Sequence, residues 1–99
     1  MAYKIVWSDE AQNDFKNVIF YLQDNWSVQS AEKFVSHTFK IVEQLAEVPS
    51  RARPTSKENI FLYKLDKKNV LFFSLESKNV LLILSIYPYQ KDITRSKYY

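Results

Sequence analysis

Three apolar runs in the second half of the chain, separated by two short polar turns, constrain the fold more than any other feature. The runs lie between residues 60 and 87, and the turns occupy residues 66–69 (DKKN) and 76–79 (ESKN). Leucine, aromatic and β-branched residues fill the runs, so the pattern predicts a three-stranded antiparallel meander. Both alternating faces of the second run are apolar, which indicates a central strand or a sheet whose second face is partly covered.

The first half of the chain predicts a helical cover for this sheet. Residues 3–7 form a short strand, and Ser8 is then a good N-cap for a helix. A second helix opens at Ser27 or Ser30 and ends before Pro49, because the residue preceding a proline is pushed out of the helical region. The short link between the helices favours an antiparallel hairpin. The two apolar stripes are Ala11, Phe15, Val18, Ile19 and Leu22, then Ala31, Phe34, Val35, Thr38, Val42 and Leu45.

The predicted fold class is α+β, with the order β-α-α-β-β-β and the helical hairpin packed on a small, mainly antiparallel sheet. Residues 1–99 form a single domain, since a chain of 99 residues holds one core. Residues 50–59 lack periodicity and predict a basic loop. Pro88 ends the last strand, and residues 89–99 are a polar, basic, tyrosine-rich tail for which the pattern predicts no element.

Missing residue types exclude several kinds of site. The chain has no cysteine, so disulfides, thiolate catalysis and cysteine metal sites are excluded. It has no glycine, which phosphate loops and nucleophile elbows require, so turns with positive φ are expected at asparagine. The single histidine, His37, cannot form a cluster, and we expect neither a metal nor a cofactor. No apolar run of about 18 residues and no signal core occur, so a cytoplasmic protein without a membrane span is expected.

Charge is distributed unevenly between the two halves. Residues 1–50 carry four Lys/Arg and seven Asp/Glu, a net charge of −3. Residues 51–99 carry ten Lys/Arg and four Asp/Glu, a net charge of +6. This asymmetry points to an acidic partner or a nucleic acid at the C-terminal half, with a solvated lysine-rich surface as the alternative.

Several individual residues have plain structural interpretations. Trp7 and Trp26 are expected in the core or packed within the helical hairpin, and His37 is expected on the surface. Lys64 on an edge strand is a typical guard against aggregation. The arginines of the basic loop, Arg51 and Arg53, are expected to be solvated. Four tyrosines have two equal interpretations, stacking on RNA bases or docking of the tail onto the sheet or a partner: Tyr87, Tyr89, Tyr98 and Tyr99.

Residues 3–34 resemble the N-terminus of RelE/ParE-type toxins of bacterial toxin–antitoxin modules, and in particular the ParE-like, or plasmid stabilisation, branch. A W-S-x-E-A-like turn leads into the first helix, which has an aromatic-Leu ending, and the second helix opens as S-x-x-A-x-x-F. The second half is similar to the family in residues 65–76 and 80–84 and in the polar segment QKD at 90–92. The N-terminal resemblance rests on Trp7, Ser8, Glu10, Ala11, Tyr21, Leu22, Ser27, Ala31 and Phe34.

This resemblance implies a small basic toxin that is neutralised by a cognate antitoxin. In such modules an acidic C-terminal segment of the antitoxin wraps the toxin. The RelE-like branch cleaves mRNA on the ribosome, whereas the ParE-like branch poisons DNA gyrase and needs no nuclease site.

The residues of the mRNA-cleaving branch are mostly not matched. Val70 and Leu62 stand where the resemblance places a strand arginine and a strand lysine, and neither supplies a charge for phosphate chemistry. An arginine expected after the last strand falls near Gln90 or Lys91, while Tyr98 or Tyr99 stands in for a C-terminal tyrosine. If the chain is a nuclease, the catalytic residues implied are Lys64, Lys91, Arg95 and Tyr98.

The resemblance therefore favours a ParE-like toxin that acts by binding a target such as DNA gyrase. Tyr89 stands about where this branch carries an arginine, and Arg95 is the nearest replacement. Alternatives are a ribosome-dependent mRNA interferase and a degenerate toxin that only binds antitoxin. The residues implied in binding antitoxin or target are Lys64, Tyr87, Tyr89, Lys91, Arg95 and Lys97.

Overall fold

The computed structural model describes residues 2–99. Its helices and strands are β1 (Lys4–Trp7), α1 (Asp9–Asn25), α2 (Val28–Glu47), β2 (Arg53–Pro54), β3 (Ile60–Lys64), β4 (Asn69–Glu76) and β5 (Val80–Pro88). Short 3-10 turns occupy Pro49–Arg51 and Ile93–Arg95. The predicted order β-α-α-β-β-β is confirmed, with one additional two-residue strand.

Both helices begin where the sequence places a cap. The Ser8 hydroxyl accepts a hydrogen bond from the Ala11 amide at 3.0 Å, and the Ser27 hydroxyl accepts one from the Ser30 amide at 3.0 Å. Each bond satisfies an amide that has no partner within its own helix. The second helix ends at Glu47, two residues before Pro49, as the proline predicts.

The five strands form one sheet in the order β1-β5-β4-β3-β2. β1 runs parallel to β5, and the other neighbours are antiparallel. The expectation that residues 50–59 form only a loop is wrong, because Arg53 pairs with Leu62 and Pro54 pairs with Phe61. Consequently β3 is not the edge of the sheet at these positions, and Lys64 lies beyond the end of its short neighbour.

One face of the sheet packs against the helical hairpin and holds the main core. The apolar stripes of both helices meet alternate residues of the meander there, together with Tyr3, Ile5 and Trp7 of the N-terminal segment. Helix and sheet therefore share one core, as the stripes predict. Its buried members are Ala11, Phe34, Val42, Leu45, Leu65, Leu71, Phe73, Leu81, Ile83 and Ile86.

The opposite face of the sheet, which we call the tail face, carries a second apolar cluster. Leu62, Val70 and Phe72 are buried at its centre, and residues 89–99, the tail, fold back across them. Partial covering of the second face was one of the two interpretations of the apolar runs, and the tail supplies that cover.

Positive φ angles occur at Asn59 (62°) and Asn79 (58°), as expected for a chain without glycine. Lys78 also has a φ of 62° and was not expected there. A side chain with a Cβ crowds the backbone in this region, so the turn stores a small strain at Lys78.

Two tryptophans behave differently. Trp7 packs on Phe15 with ring centroids 5.0 Å apart, which confirms its place in the core. The expectation for Trp26 is wrong, because it is 65% exposed at the helical link, where the Lys68 ammonium lies 5.4 Å from its ring centroid. His37 lies on the surface, where its Nε2 donates to the Leu65 carbonyl at 2.7 Å.

Candidate functional site

The tail determines which side chains are exposed on the second face of the sheet, because it covers the apolar cluster there. Tyr98 packs on Phe72 with ring centroids 6.1 Å apart, and Ile93 and Tyr99 join the same cluster. Tyr87, in the last strand, meets Phe72 edge to face at 6.2 Å. Three tyrosine rings therefore surround Phe72 at the centre of the tail face and exclude water from it.

Polar contacts hold the tail at two places. At the start of α1, Glu10 Oε1 accepts a hydrogen bond from the Tyr98 hydroxyl at 2.9 Å and lies 2.8 Å from Lys97 Nζ. Beside β2, the Tyr99 carbonyl accepts from the Ser56 amide at 2.7 Å and from the Ser56 hydroxyl. The tail thus crosses the sheet from the start of α1, at Glu10, to the segment that follows β2, at Ser56.

The Glu10 contacts alter the titration of three groups. Hydrogen bonds from Lys97, and secondarily from Tyr98, hold the pKa of Glu10 below its ordinary value. The same carboxylate raises the pKa of Lys97. Burial, followed by the hydrogen bond to Glu10, raises the pKa of Tyr98. Tyr98 therefore stays protonated at neutral pH, so its phenol is poorly suited to act as a general base.

Lys64 lies away from these contacts, at the end of β3. Its ammonium sits 4.9 Å from the centroid of the Tyr89 ring, a cation–π geometry. The Tyr89 amide donates to the Lys68 carbonyl at 2.6 Å, which fixes the backbone just after the last strand. Lys64 and Tyr89, both implied by the resemblance, are thus brought together.

Lys91 and Arg95 are exposed on the tail. Within residues 2–99 neither forms an ion pair, since the one pair joins Lys97 to Glu10. Arg95 ends a 3-10 turn that Asp92 caps by accepting from Thr94, and these hydrogen bonds lower the pKa of Asp92. The four residues of the nuclease alternative therefore share no common contact: Lys64 meets Tyr89, Tyr98 meets Glu10, and Lys91 and Arg95 are exposed, with Arg95 close enough to Asp92 to lower its pKa.

Sequence reasoning missed the residues that bind the tail tyrosines and the residue that binds the end of β5, where this strand extends beyond its pairing with β1. Glu10 counted only as part of the family resemblance, and Ser56 was part of a loop. Asp14 Oδ2 accepts from the Ser85 hydroxyl and the Ile86 amide, each at 3.0 Å, where the register between β4 and β5 shifts. These partners are far apart in sequence, so no local signal identifies them.

Within residues 2–99, no helix is long and apolar enough to cross a bilayer. The same residues contain no group of three or more His, Asp or Glu placed to hold a metal ion.

Comparison with solved structures gives the same fold in chains from bacterial toxin–antitoxin systems. A chain of the chromosomal ParDE system from P. aeruginosa superposes with a TM-score of 0.76 at 18% identity, covering 88% of this chain and 96% of that one. A chain of the RelBE2 toxin–antitoxin complex from Mycobacterium tuberculosis gives 0.61 at 15% identity, covering 89% and 99%. A YoeB/ParE toxin from Agrobacterium tumefaciens gives 0.64 at 11% identity, covering 87% and 98%.

At these identities the similarity shows the fold alone. No match is found among curated protein sequences. The family described as "ParE toxin of type II toxin-antitoxin system, parDE" matches residues 5–93, which include both helices and all five strands apart from Lys4. The chain therefore belongs to the ParE toxin family of type II toxin–antitoxin systems.

Proposed function

We propose that this toxin acts in the manner of the ParE-like branch, by binding a target such as DNA gyrase without catalysing a reaction. The observation that carries the proposal is that the centre of the tail face is apolar and covered by the tail. Val70 and Phe72 are fully buried at its centre, and Leu62 is 4% exposed beneath the tail. Apolar, covered residues at these positions supply neither a base nor a cation to a scissile phosphate.

The contacts of Tyr98 in the tail also support a function without catalysis. Tyr98 lies against Phe72, and its hydroxyl is already engaged with Glu10. A residue that served proton transfer would need a free hydroxyl and a pKa nearer neutrality, whereas burial moves the pKa of Tyr98 upward. A structural role for Tyr98, holding the tail on the sheet, accounts for both contacts.

We further propose that a cognate antitoxin with an acidic C-terminal segment neutralises the toxin. The basic residues available to it are exposed: Lys64 at the sheet rim and Lys91 and Arg95 on the tail. Acidic side chains of a partner gain attraction from such cations and lose little, because these cations are not already paired within the described chain. Tyr87, Tyr89 and Lys97 complete the proposed contact set.

The tip of the helical hairpin adds an apolar surface that a partner would bury. Its side chains are large and exposed, and they lie close together in sequence at the end of α1, in the link and at the start of α2: Phe20, Tyr21, Trp26 and Val28. Clustered exposed aromatic residues of this kind are typical of protein interfaces.

An mRNA interferase is the second function, favoured by one observation. Lys64, Lys91 and Arg95 are exposed and free to meet a phosphate backbone. A degenerate toxin that retains only antitoxin binding is the third.

Induced expression in bacteria, followed by mapping of transcript ends, separates these functions. Our proposal predicts growth arrest with DNA-damage signalling while translated transcripts stay intact. The informative variant is Lys91→Ala/Arg95→Ala, with Lys33→Ala/Lys67→Ala as a control that removes two other exposed lysines. New cuts in translated mRNAs that vanish only in the first variant would establish the nuclease instead. Normal growth combined with tight binding of the neighbouring gene's antitoxin would establish the degenerate toxin.

A further inference from the structure

The short strand β2 places an arginine on the tail face, next to Lys64. Arg53 pairs directly with Leu62 in the antiparallel ladder. Residues opposite each other in such a ladder point to the same face, and the residue two positions further along lies diagonally, about 7–8 Å away. Arg53 and Lys64 are therefore diagonal neighbours on one face.

A third cation enters from the 3-10 turn that precedes β2. Arg51 ends this turn, one residue before the backbone becomes extended. Together these elements enclose a pocket of about 240 Å³ at the rim of the sheet. We call it the rim pocket, and it is lined by Arg51, Arg53, Leu62, Tyr63, Lys64 and Tyr89.

The rim pocket is positively charged, and no carboxylate of the described residues forms an ion pair with its cations. Its three cations are all exposed, and the one ion pair within residues 2–99 involves Lys97. Buried Leu62 provides an apolar floor, which lowers the local dielectric and strengthens attraction for an anion. Three like charges around one cavity are best relieved by a ligand that carries more than one negative charge.

The exposed aromatic ring beside the three cations further restricts the class of ligand that fits the pocket. Tyr89 is 42% exposed, and its ring holds the Lys64 ammonium 4.9 Å from its centroid. Such a ring accepts a stacked base whatever the sequence. Guanidinium groups bind phosphate oxygens through paired, parallel hydrogen bonds, and a terminal phosphate carries about −1.5 to −2 charge at neutral pH. A single carboxylate would offset only one of the three cations.

We propose that the rim pocket binds the phosphate group of a nucleotide, with Arg51, Arg53 and Lys64 as its cations and Tyr89 as the surface for the base. The phosphate comes either from a free mononucleotide or from single-stranded nucleic acid. Lys64 and Tyr89 also belong to the proposed antitoxin contact set, but binding of a nucleotide is measured on the purified chain and needs neither antitoxin nor cellular target.

Titration monitored by the NMR signals of the backbone amides tests the pocket. The probes are inorganic phosphate, adenosine, adenosine 5′-monophosphate and single-stranded hexanucleotides of DNA and RNA. The monophosphate should shift the amide signals around Lys64 and Tyr89, and it should bind more tightly than phosphate or adenosine alone. Hexanucleotides that bind tenfold more tightly than the monophosphate identify nucleic acid as the source, whereas equal affinity identifies the free nucleotide; both support the pocket.

Two variants and a matched control make the test specific. Arg53→Gln and Arg51→Gln should each weaken binding of the monophosphate at least tenfold, and having both protects the test against one variant that fails to fold. Lys57→Gln removes an exposed cation of the same segment that does not line the pocket, and it should change affinity less than twofold. Equal losses of affinity in all three variants would mean that binding depends only on the overall charge of the protein, and this would overturn the assignment. The absence of shifts with every phosphate probe would do the same, as would tighter binding of an acidic hexapeptide.

Discussion

Removing the Glu10 carboxylate should loosen the tail, because this one group accepts hydrogen bonds from two tail residues. Its Oε1 lies 2.9 Å from the Tyr98 hydroxyl and 2.8 Å from the Lys97 ammonium. We predict that Glu10→Ala lowers the free energy of unfolding, and that of tail opening, by about 1–2 kcal/mol.

This magnitude follows from the exposure of the groups. A hydrogen bond to a charged acceptor contributes about 1.5–3 kcal/mol, but the Glu10 side chain is 39% exposed, so solvent screening reduces its share to about 1 kcal/mol. The ion pair with the exposed Lys97 adds little. Glu10 also lies in the first turn of α1, where a carboxylate gains about 0.3–1 kcal/mol from the helix dipole.

Hydrogen exchange and chemical denaturation measure the two free energies. The Ser56 amide is the reporter for docking of the tail, because it donates to the Tyr99 carbonyl. Asp9→Ala is the matched control, since Asp9 is an exposed carboxylate in the same helical turn and its loss removes only the dipole contribution. Glu10→Gln should fall between the two, because an amide oxygen still accepts from Tyr98. If Glu10→Ala and Asp9→Ala accelerate Ser56 exchange equally, the proposed anchoring of the tail is refuted.

The remaining predictions concern pH, packing and the turns. Because the pKa of Glu10 is lowered in the fold, its contribution to stability is complete above its ordinary pKa of 4.5 and is lost as the pH falls through the folded pKa. Tail protection should fade there, and less so in a Glu10→Gln variant, in which Asp92 is the remaining tail carboxylate whose pKa the fold lowers. Phe72→Ala should cost about 3–5 kcal/mol in denaturation, whereas Phe20→Ala, on a 57% exposed side chain, should cost under about 0.5 kcal/mol; similar costs would contradict the second apolar cluster. Lys78→Gly should raise the free energy of unfolding by about 0.5–1 kcal/mol by removing strain at a φ of 62°, and a loss would contradict the turn geometry. Trp26→Ala should change it by less than about 0.5 kcal/mol, since a core position would cost several times more.

Elements fixed by local chemistry could be predicted from the sequence. The runs of the meander, the caps at Ser8 and Ser27 and the proline that follows α2 all act within a few residues. The resemblance to toxins rests on the same local patterns. The match of the ParE family to residues 5–93 confirms it.

Elements that depend on distant partners could not be predicted. Two residues, one of them Pro54, are too short to show a strand period, so β2 was invisible and Arg53 was assigned to a solvated loop. Docking of the tail tyrosines on the sheet was one of the open alternatives, but the hydrogen-bond partner of Tyr98 is Glu10, 88 positions away, which no local pattern identifies. Both omissions concern the tail face, where the basic and aromatic residues meet.

Supercoiling by purified DNA gyrase, titrated with the purified toxin, tests our central proposal most directly. We predict a dose-dependent loss of supercoiling that the cognate antitoxin restores, with the toxin producing no cleavage of mRNA on translating ribosomes in parallel. Unaffected supercoiling together with cleavage of translated mRNA would contradict the proposal and assign the toxin to the nuclease branch.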